Sequence, residues 1–78
     1  MKCSGKIKTV VDNRINVQMQ KMGRRKINDL YIVNLSENTK LNCDISKFEK
    51  GMNIQIVFNG IVALSLPPQI YAEKIRLI

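Results

Sequence analysis

The feature that most constrains the fold is a regular alternation of apolar and polar side chains between positions 14 and 22. The apolar set is Ile15, Val17 and Met19, and the polar set between them is Asn16, Gln18 and Gln20. Because successive side chains of a strand point to opposite faces, this alternation predicts a strand with one buried face. A chain of 78 residues makes a single domain, so this strand must share one small core with the others.

Further strands are predicted at 3–11, 30–35, 52–58, 61–64 and 70–77. Asp12 and Asn13 tolerate left-handed backbone, which predicts a tight turn between the first two strands. The segment Asn59-Gly60 predicts a two-residue type I′ hairpin that returns through 61–64. The third strand is apolar on both faces, so we expect it at the centre of the sheet or crossing between layers. The prolines Pro67 and Pro68 interrupt the ladder because proline has no backbone N–H.

One short helix of one or two turns is predicted between the third and fourth strands. Ser46 and Glu49 have capping-box spacing, and Gly51 can end the helix. Phe48 and Phe58 are expected in the core. The order of elements predicts an all-β fold, a small five- to six-stranded antiparallel barrel of the oligonucleotide/oligosaccharide-binding (OB) type that covers residues 1–78.

The C-terminal half adds a resemblance. It contains the string Phe48-x-x-Gly51-x-x-Ile54-x-Ile56-x-Phe58-x-Gly60, followed by Ser65-x-Pro67-x-Gln69-x-x-Ala72-x-Lys74-Ile75. This pattern resembles an uncharacterised bacterial family of small OB-fold-like domains that are often found in lipoproteins. The chain departs from that pattern at Leu66 and Pro68, where an aromatic and a small residue are common. The resemblance implies the fold and an envelope setting, but no activity and no functional residues.

The net charge of +7 lies entirely in the first third of the chain. Residues 1–26 carry eight bases and one acid, whereas residues 27–78 carry five of each. Such asymmetry indicates a surface that attracts anions. Among the ten residues that we predict for a polyanion-binding site, the charged ones are Lys6, Lys8, Arg14, Lys21, Arg24, Arg25 and Lys26, with Gly23 to Lys26 forming a basic loop.

The other three predicted site residues are Asn16 and Gln18, as hydrogen-bonding groups together with the neighbouring Gln20, and Tyr31. Tyr31 and Tyr71 are the only candidates for stacking on bases, and each is expected to be half-buried. The predicted partner is single-stranded nucleic acid or another polyanion, because OB folds bind single strands on this side of the barrel.

Catalytic and metal chemistry are not predicted. The chain has no His, and neither a nucleophile elbow nor a phosphate-binding glycine loop occurs. Cys3 and Cys43 have no ligand partners at zinc-site spacing, and we expect two small, partly buried thiols. The sequence therefore predicts a protein that is not an enzyme and needs no cofactor.

Two alternatives remain open at this point. The chain is expected to be cytoplasmic, because the first residues form no apolar signal segment and no stretch approaches the length of a membrane span. If Met1 is not the native start, an envelope module or a protein-interaction module whose exposed strand edge docks a partner is the alternative. A dimer is consistent with the small core and the exposed edge.

Overall fold

A computed structural model describes residues 1–78. Its strands are β1 (Lys2–Val11), β2 (Arg14–Met22), β3 (Arg25–Asn34), β4 (Lys40–Leu41), β5 (Asn53–Phe58) and β6 (Gln69–Leu77), and a single 3₁₀ turn spans Ile45–Lys47. None of these elements is a helix of the length and apolarity that spanning a membrane requires.

Five of the strands close into a barrel. The sheet order is β3-β2-β1-β5-β6-β4, and an additional pairing joins β3 to β6. This seam is short and parallel, since Ile32, Val33 and Asn34 face residues 69–71. The short β4 continues along the same edge of β6 further on, at residues 74 and 75. The predicted OB-like barrel is confirmed, with parallel pairing of β6 to β3 and β4 and antiparallel pairing between the other neighbouring strands.

The core lies inside the barrel and is wholly apolar. Its 13 residues are Cys3, Ile7, Ile15, Val17, Met19, Val33, Phe48, Ile54, Ile56, Phe58, Ile70, Ala72 and Ile75. Every barrel strand contributes at least one of them, which is what the period-two patterns predict. Each large side chain of this kind stabilises the fold by about 1.5–3 kcal/mol when fully buried. Phe48 and Phe58 are both buried, as expected.

The β1–β2 hairpin forms as predicted. Val11 pairs with Arg14 across a two-residue turn, in which Asp12 has φ of 52°. The next connection differs from the predicted loop. Gly23 has φ of 60° and forms a second two-residue turn with Arg24, so that Met22 pairs with Arg25. The third strand consequently begins at residue 25 rather than 30, and Arg25 and Lys26 belong to a strand.

The predicted helix is reduced to the 3₁₀ turn Ile45–Lys47. Its N-cap is Asp44, whose Oδ1 accepts a hydrogen bond from the Ser46 N–H at 2.9 Å. The predicted capping box of Ser46 and Glu49 is therefore wrong, because the cap lies two residues earlier. The turn is held by tertiary packing instead, since Phe48, which follows it, is only 4% exposed.

The predicted strand 61–64 and its type I′ hairpin are wrong. Gly60 does have φ of 90°, and the side chain of Asn59 accepts a hydrogen bond from the Ile61 N–H. However, β5 already pairs with β1 on one edge and with β6 on the other. No edge is left for a returning strand, so residues 59–68 form a long connection that touches the sheet through one bridge, Ala63 to Gln69.

Candidate functional site

The outer face of the barrel gathers the basic side chains. On β1 and β2 the buried residues point inward, so Lys6 and Gln18 point outward. Lys21 also points outward, because the register shift between Met19 and Lys21 puts it opposite Ser4 of the outer face. Lys6 pairs with Gln18, and Lys21 pairs with Lys26 of β3. The first three strands therefore bring these four predicted site residues onto one surface.

The strand register extends this surface around the whole barrel. Lys26 faces Lys21, Lys21 faces Ser4, Ser4 faces Gln55, and Gln55 faces Arg76. These five residues form one outward-pointing line that crosses all five barrel strands, which we call the basic row. Neighbouring strands lie about 4.8 Å apart, so the basic row follows the surface for roughly 19 Å. It contains three bases and no acid.

A second line of bases runs beside the basic row. Lys2 pairs with Val57, which pairs with Lys74. A shallow pocket of about 230 Å³ lined by Lys2, Ser4, Lys21 and Gln55 lies between the two lines. A second pocket, of about 140 Å³, is lined by Lys2, Gln55, Lys74 and Arg76. The two pockets share Lys2 and Gln55, so they adjoin each other on the basic outer face.

Sequence reasoning missed half of this surface. Lys2, Ser4, Gln55, Lys74 and Arg76 were not predicted as site residues, and the last three come from the part of the chain that has no net charge. The alternation of Lys2, Ser4 and Lys6 with buried residues could have placed the first two on the outer face. The others depend on the pairing of β1 with β5 and of β5 with β6, which local sequence does not specify.

The predicted hydrogen-bonding residues are partly engaged. The Nε2 of Gln18 donates to the Oδ1 of Asn28 at 2.8 Å, so one of its groups is already used on the same face. Asn16 is half-buried and faces Ile32, further along the sheet from the basic row. Gln20 is exposed and lies at an irregularity in the β1–β2 pairing.

The other predicted site residues do not join the basic row. Arg25 pairs with Met22, which packs against the core, and therefore lies on the opposite face of β3 from Lys26. Tyr31 pairs with buried Val17 and packs against the core, so no stacking surface forms there. Lys8 and Arg14 are exposed towards the other end of the β1–β2 hairpin, and Arg24 is exposed in the turn.

Tyr71, the second stacking candidate, is the more accessible aromatic residue. It is 64% exposed rather than half-buried and pairs with Asn34 across the closing seam. It faces a different depression, lined with Asn38, Asn59 and Lys74. Of these neighbours only Lys74 belongs to the basic surface, so Tyr71 lies at its margin.

The thiols behave differently from each other. Cys3 is 3% exposed, and burial raises the pKa of its thiol to about 12, so it is protonated at neutral pH. Cys43 is half-buried, and both cysteines are free. No group of three or more His, Cys, Asp and Glu side chains is placed to hold a metal ion.

An apolar groove lies on the rim, away from the basic row. It is lined by Asp29, Leu30, Leu66, Pro67 and Pro68. The backbones of Ala63 and Gln69 exchange hydrogen bonds of 2.8 and 3.2 Å, and this closes the loop that carries Leu66. Leu66 is 99% exposed and Leu64 is 98% exposed. From the sequence, Pro67 and Pro68 were expected only to interrupt the strand ladder.

These features define the chain as a small OB-like barrel with a basic outer face. Its fold is similar to that of silver(I) CusF, with a TM-score of 0.72 at 10% identity over 100% of this chain and 96% of that one. It is also similar to the YobA protein of Bacillus subtilis, with a TM-score of 0.71 at 16% identity over 100% and 94% of the two chains.

A copper(II) form of a CusF variant from Escherichia coli gives a TM-score of 0.67 at 10% identity over 100% of this chain and 90% of that one. No protein-family model matches the sequence, and neither does any curated protein. At these identities the likeness concerns the fold alone.

Proposed function

We propose that this protein is a small, non-catalytic binding module that captures an anionic polymer along the basic row. The observation that carries the proposal is the direct cross-strand pairing of Lys21 with Lys26. Like charges directly opposite each other destabilise a sheet. An anion placed between them removes that repulsion, so the pair favours a bound ligand over the free protein.

The two lines of bases favour an extended ligand that carries repeated negative charges. A ligand that spans the basic row meets charges on β3, β2 and β6 in turn, and Lys2 and Lys74 lie alongside. Polar Ser4 and Gln55 occupy the positions between the bases and can hydrogen-bond to phosphate or sugar groups. A single-stranded nucleic acid has the repeating charge that such a line matches, and it is the ligand to test first.

The surface has few aromatic groups, and this limits the mode of binding. Stacking supplies about 1–3 kcal/mol per base in proteins that bind single strands. Since Tyr31 packs against the core, that contribution is absent from the basic row. We therefore expect electrostatic binding that tolerates any base sequence and depends strongly on salt.

The test is fluorescence anisotropy of a labelled single-stranded oligonucleotide of about 15 nucleotides, which is within the site sizes of OB folds. The titration is repeated between about 50 and 200 mM salt, because the logarithm of the binding constant falls linearly with the logarithm of salt concentration by about 0.7 per neutralised phosphate. In the double variant Lys21→Ala/Lys26→Ala, the loss of two phosphate contacts lowers that slope by about 1.4.

The matched control is Lys47→Ala/Lys50→Ala, which removes the same charge at exposed positions outside the barrel strands. The proposal expects this control to retain the slope of the parent protein. If both double variants weaken binding equally, net charge rather than the basic row explains the affinity. If the parent does not bind at the lowest salt concentration, nucleic acid is not the ligand, and inorganic polyphosphate is the next probe.

A soft metal ion is a second candidate, and one observation favours it. Cys3 lies directly opposite Met22 across β1 and β2, and buried Met19 follows on the same inner face. Thiolate and thioether ligands select soft ions such as copper(I), and structures of CusF with silver(I) and copper(II) share the fold. Against it, the chain has no His, and the Cys3 thiol must lose its proton to bind.

Silver(I) titration followed by mass spectrometry of the native protein tests this candidate. Stoichiometric binding that is lost in both Cys3→Ser and Met22→Leu supports it, and binding lost in Cys43→Ser instead places the ion elsewhere. The measurement uses no nucleic acid, so its result is independent of the test of the basic row.

A further inference from the structure

One segment of β3 lacks a neighbour on its outer edge. Residues 25–31 pair with β2 on one side, whereas the seam with β6 involves only residues 32–34. The backbone groups along this stretch are therefore open to another strand, as are those of residues 8–11 of β1 on the side away from β2. Open edges of this kind promote pairing between chains unless charge or shape prevents it.

On the inner side of β3, a basic, an apolar and an acidic side chain follow one another along this open edge. Arg25 pairs with Met22, and Asp29 pairs with buried Met19, so both lie on the side of β3 that faces the interior. Ile27, midway between them, packs against the core on that same side. Arg25 and Asp29 are both exposed. A base and an acid thus lie two residues to either side of an apolar residue, and the β2–β3 register shift falls in the same stretch, between Lys26 and Asp29.

This arrangement is complementary to itself. In an antiparallel pair with a two-fold axis at Ile27, Arg25 of each copy stands directly opposite Asp29 of the partner subunit. Opposite charges in directly facing positions stabilise a strand pair, and two such pairs form per dimer. The two Ile27 side chains meet at the axis.

Other arrangements lose this match. A parallel, in-register pair puts Arg25 against Arg25 and Asp29 against Asp29, which is repulsive. Moving the axis by one residue to Asn28 places Arg25 opposite Tyr31 and leaves Asp29 opposite Ile27, with no ion pair. The charges therefore select one orientation and one register.

The groove beside this edge supplies further contact in the same register. Arg24 falls opposite Leu30 of the partner subunit, which with Leu66 and Pro67 lines the apolar groove. The aliphatic stem of an arginine packs on such a surface while its guanidinium remains in water. Lys26 lies on the outer face, so the basic row stays open in the paired form.

We propose that two copies of this chain associate through the open edge of β3, antiparallel and centred on Ile27, with Arg25 of each copy paired to Asp29 of the other. The association joins two five-stranded barrels edge to edge through their β3 strands. It needs no ligand and is separate from the proposed capture of anionic polymers.

Sedimentation equilibrium of the full chain over a range of concentrations measures this association. The parent protein is expected to show a monomer–dimer equilibrium. The variants Arg25→Asp and Asp29→Arg each place like charges opposite each other twice, and each is expected to weaken the dimer about tenfold or more. The double variant Arg25→Asp/Asp29→Arg restores opposite charges and is expected to recover the dimer.

Two controls carry the same charge changes elsewhere, Lys47→Asp for the first variant and Glu37→Arg for the second. Both are expected to dimerise like the parent, and circular dichroism verifies that every variant is folded. A parent that is monomeric at all concentrations overturns the proposal, and so does a double variant that stays as monomeric as the single ones. Because the double variant keeps the net charge, its binding of oligonucleotide separately reports on the basic row.

Discussion

At the scale of single residues, Gly5 shows how closely the barrel strands pack. A Cβ at this position would overlap the carbonyl oxygen of Gln18 and would lie 2.7 Å from Cγ1 of Val17 and 2.9 Å from Cα of Met19. The register between β1 and β2 also shifts next to Gly5, where two residues of β2 advance for one of β1. The glycine therefore allows a close backbone approach at a bulge.

Replacing this glycine is expected to destabilise the fold. Gly5→Ala forces the backbones of β1 and β2 apart, and overpacking of this kind costs about 1–3 kcal/mol. Urea unfolding of the variant and the parent measures the difference. The adjacent change Ser4→Ala, on the outer face, is the control and should remain within about 0.5 kcal/mol of the parent. Equal stability of Gly5→Ala and the parent would contradict the close approach.

The buried thiol of Cys3 gives a dependence on pH. Its pKa is about 12 in the folded protein because burial disfavours the thiolate, against 9.0 for an ordinary thiol. The folded protein therefore holds the thiol proton more tightly than the unfolded chain does. The resulting contribution to stability is fully present below pH 9.0 and is lost as pH rises towards about 12.

Between these two values, the free energy of unfolding should fall with a slope of up to about 1.4 kcal/mol per pH unit from this group alone. The measurement is the difference in slope between the parent and Cys3→Ala, which lacks the thiol. Parallel profiles for the two proteins would show that the thiol is not buried. Iodoacetamide at neutral pH should correspondingly modify Cys3 only after unfolding.

At the scale of elements, the sequence predicted a turn correctly where all the residues that define it are adjacent in the chain. The β1–β2 hairpin follows from alternation plus Asp12 and Asn13, and its turn formed where it was predicted. Asn59 and Gly60 carry an equally strong signal, and the local Asn59 turn does form. The strand that should follow it does not, because β6, which is remote in sequence, occupies that edge of β5.

The seam between β3 and β6 is the element contact that closes the barrel. The Nδ2 of Asn34 donates to the Oε1 of Gln69 at 3.0 Å and to the carbonyl oxygen of Ile70 at 3.3 Å. Both bonds are partly buried and span more than 30 positions of the chain. Asn34 therefore ties together two strands that share only three paired positions.

Removing the Asn34 side chain is expected to increase local opening at the β3–β6 pairing more than elsewhere in the barrel. Asn34→Ala removes two partly buried hydrogen bonds, each of which contributes about 0.5–1.5 kcal/mol. Hydrogen exchange is expected to accelerate first at Ile32 N–H, which donates to Pro68 across the seam, and to change little in the β1–β2 hairpin. Uniform acceleration across all strands would instead mean that the barrel opens only as a whole.

At the scale of the whole molecule, the fold was more predictable than the site. Alternating apolar positions define which residues face inward, so the core and barrel class follow from sequence. The line of outward residues depends on register between strands that are far apart in sequence. Charge counting consequently located Lys21 and Lys26, but not Gln55 and Arg76, which the pairing of β5 brings into the same row.

The same reasoning explains why some predicted residues do not belong to the site. Arg25 and Lys26 are adjacent in sequence and equally basic, yet they lie on opposite faces once they enter β3. The sequence interpretation placed both in a loop, where no face is defined. Tyr31 was separated from the outer face for the same reason, since its partner Val17 points into the core.

The most direct test of the basic row is two-dimensional NMR of labelled protein during titration with a single-stranded oligonucleotide. The account predicts that the largest shift changes follow the register across five strands, at Lys26, Lys21, Ser4, Gln55 and Arg76, and spare the region around Lys47. Shifts at Gln55 and Arg76 are decisive, because they lie in the part of the chain without net charge. Changes confined to the Gly23–Arg24 turn, or centred on Tyr71, would contradict a binding site along the basic row.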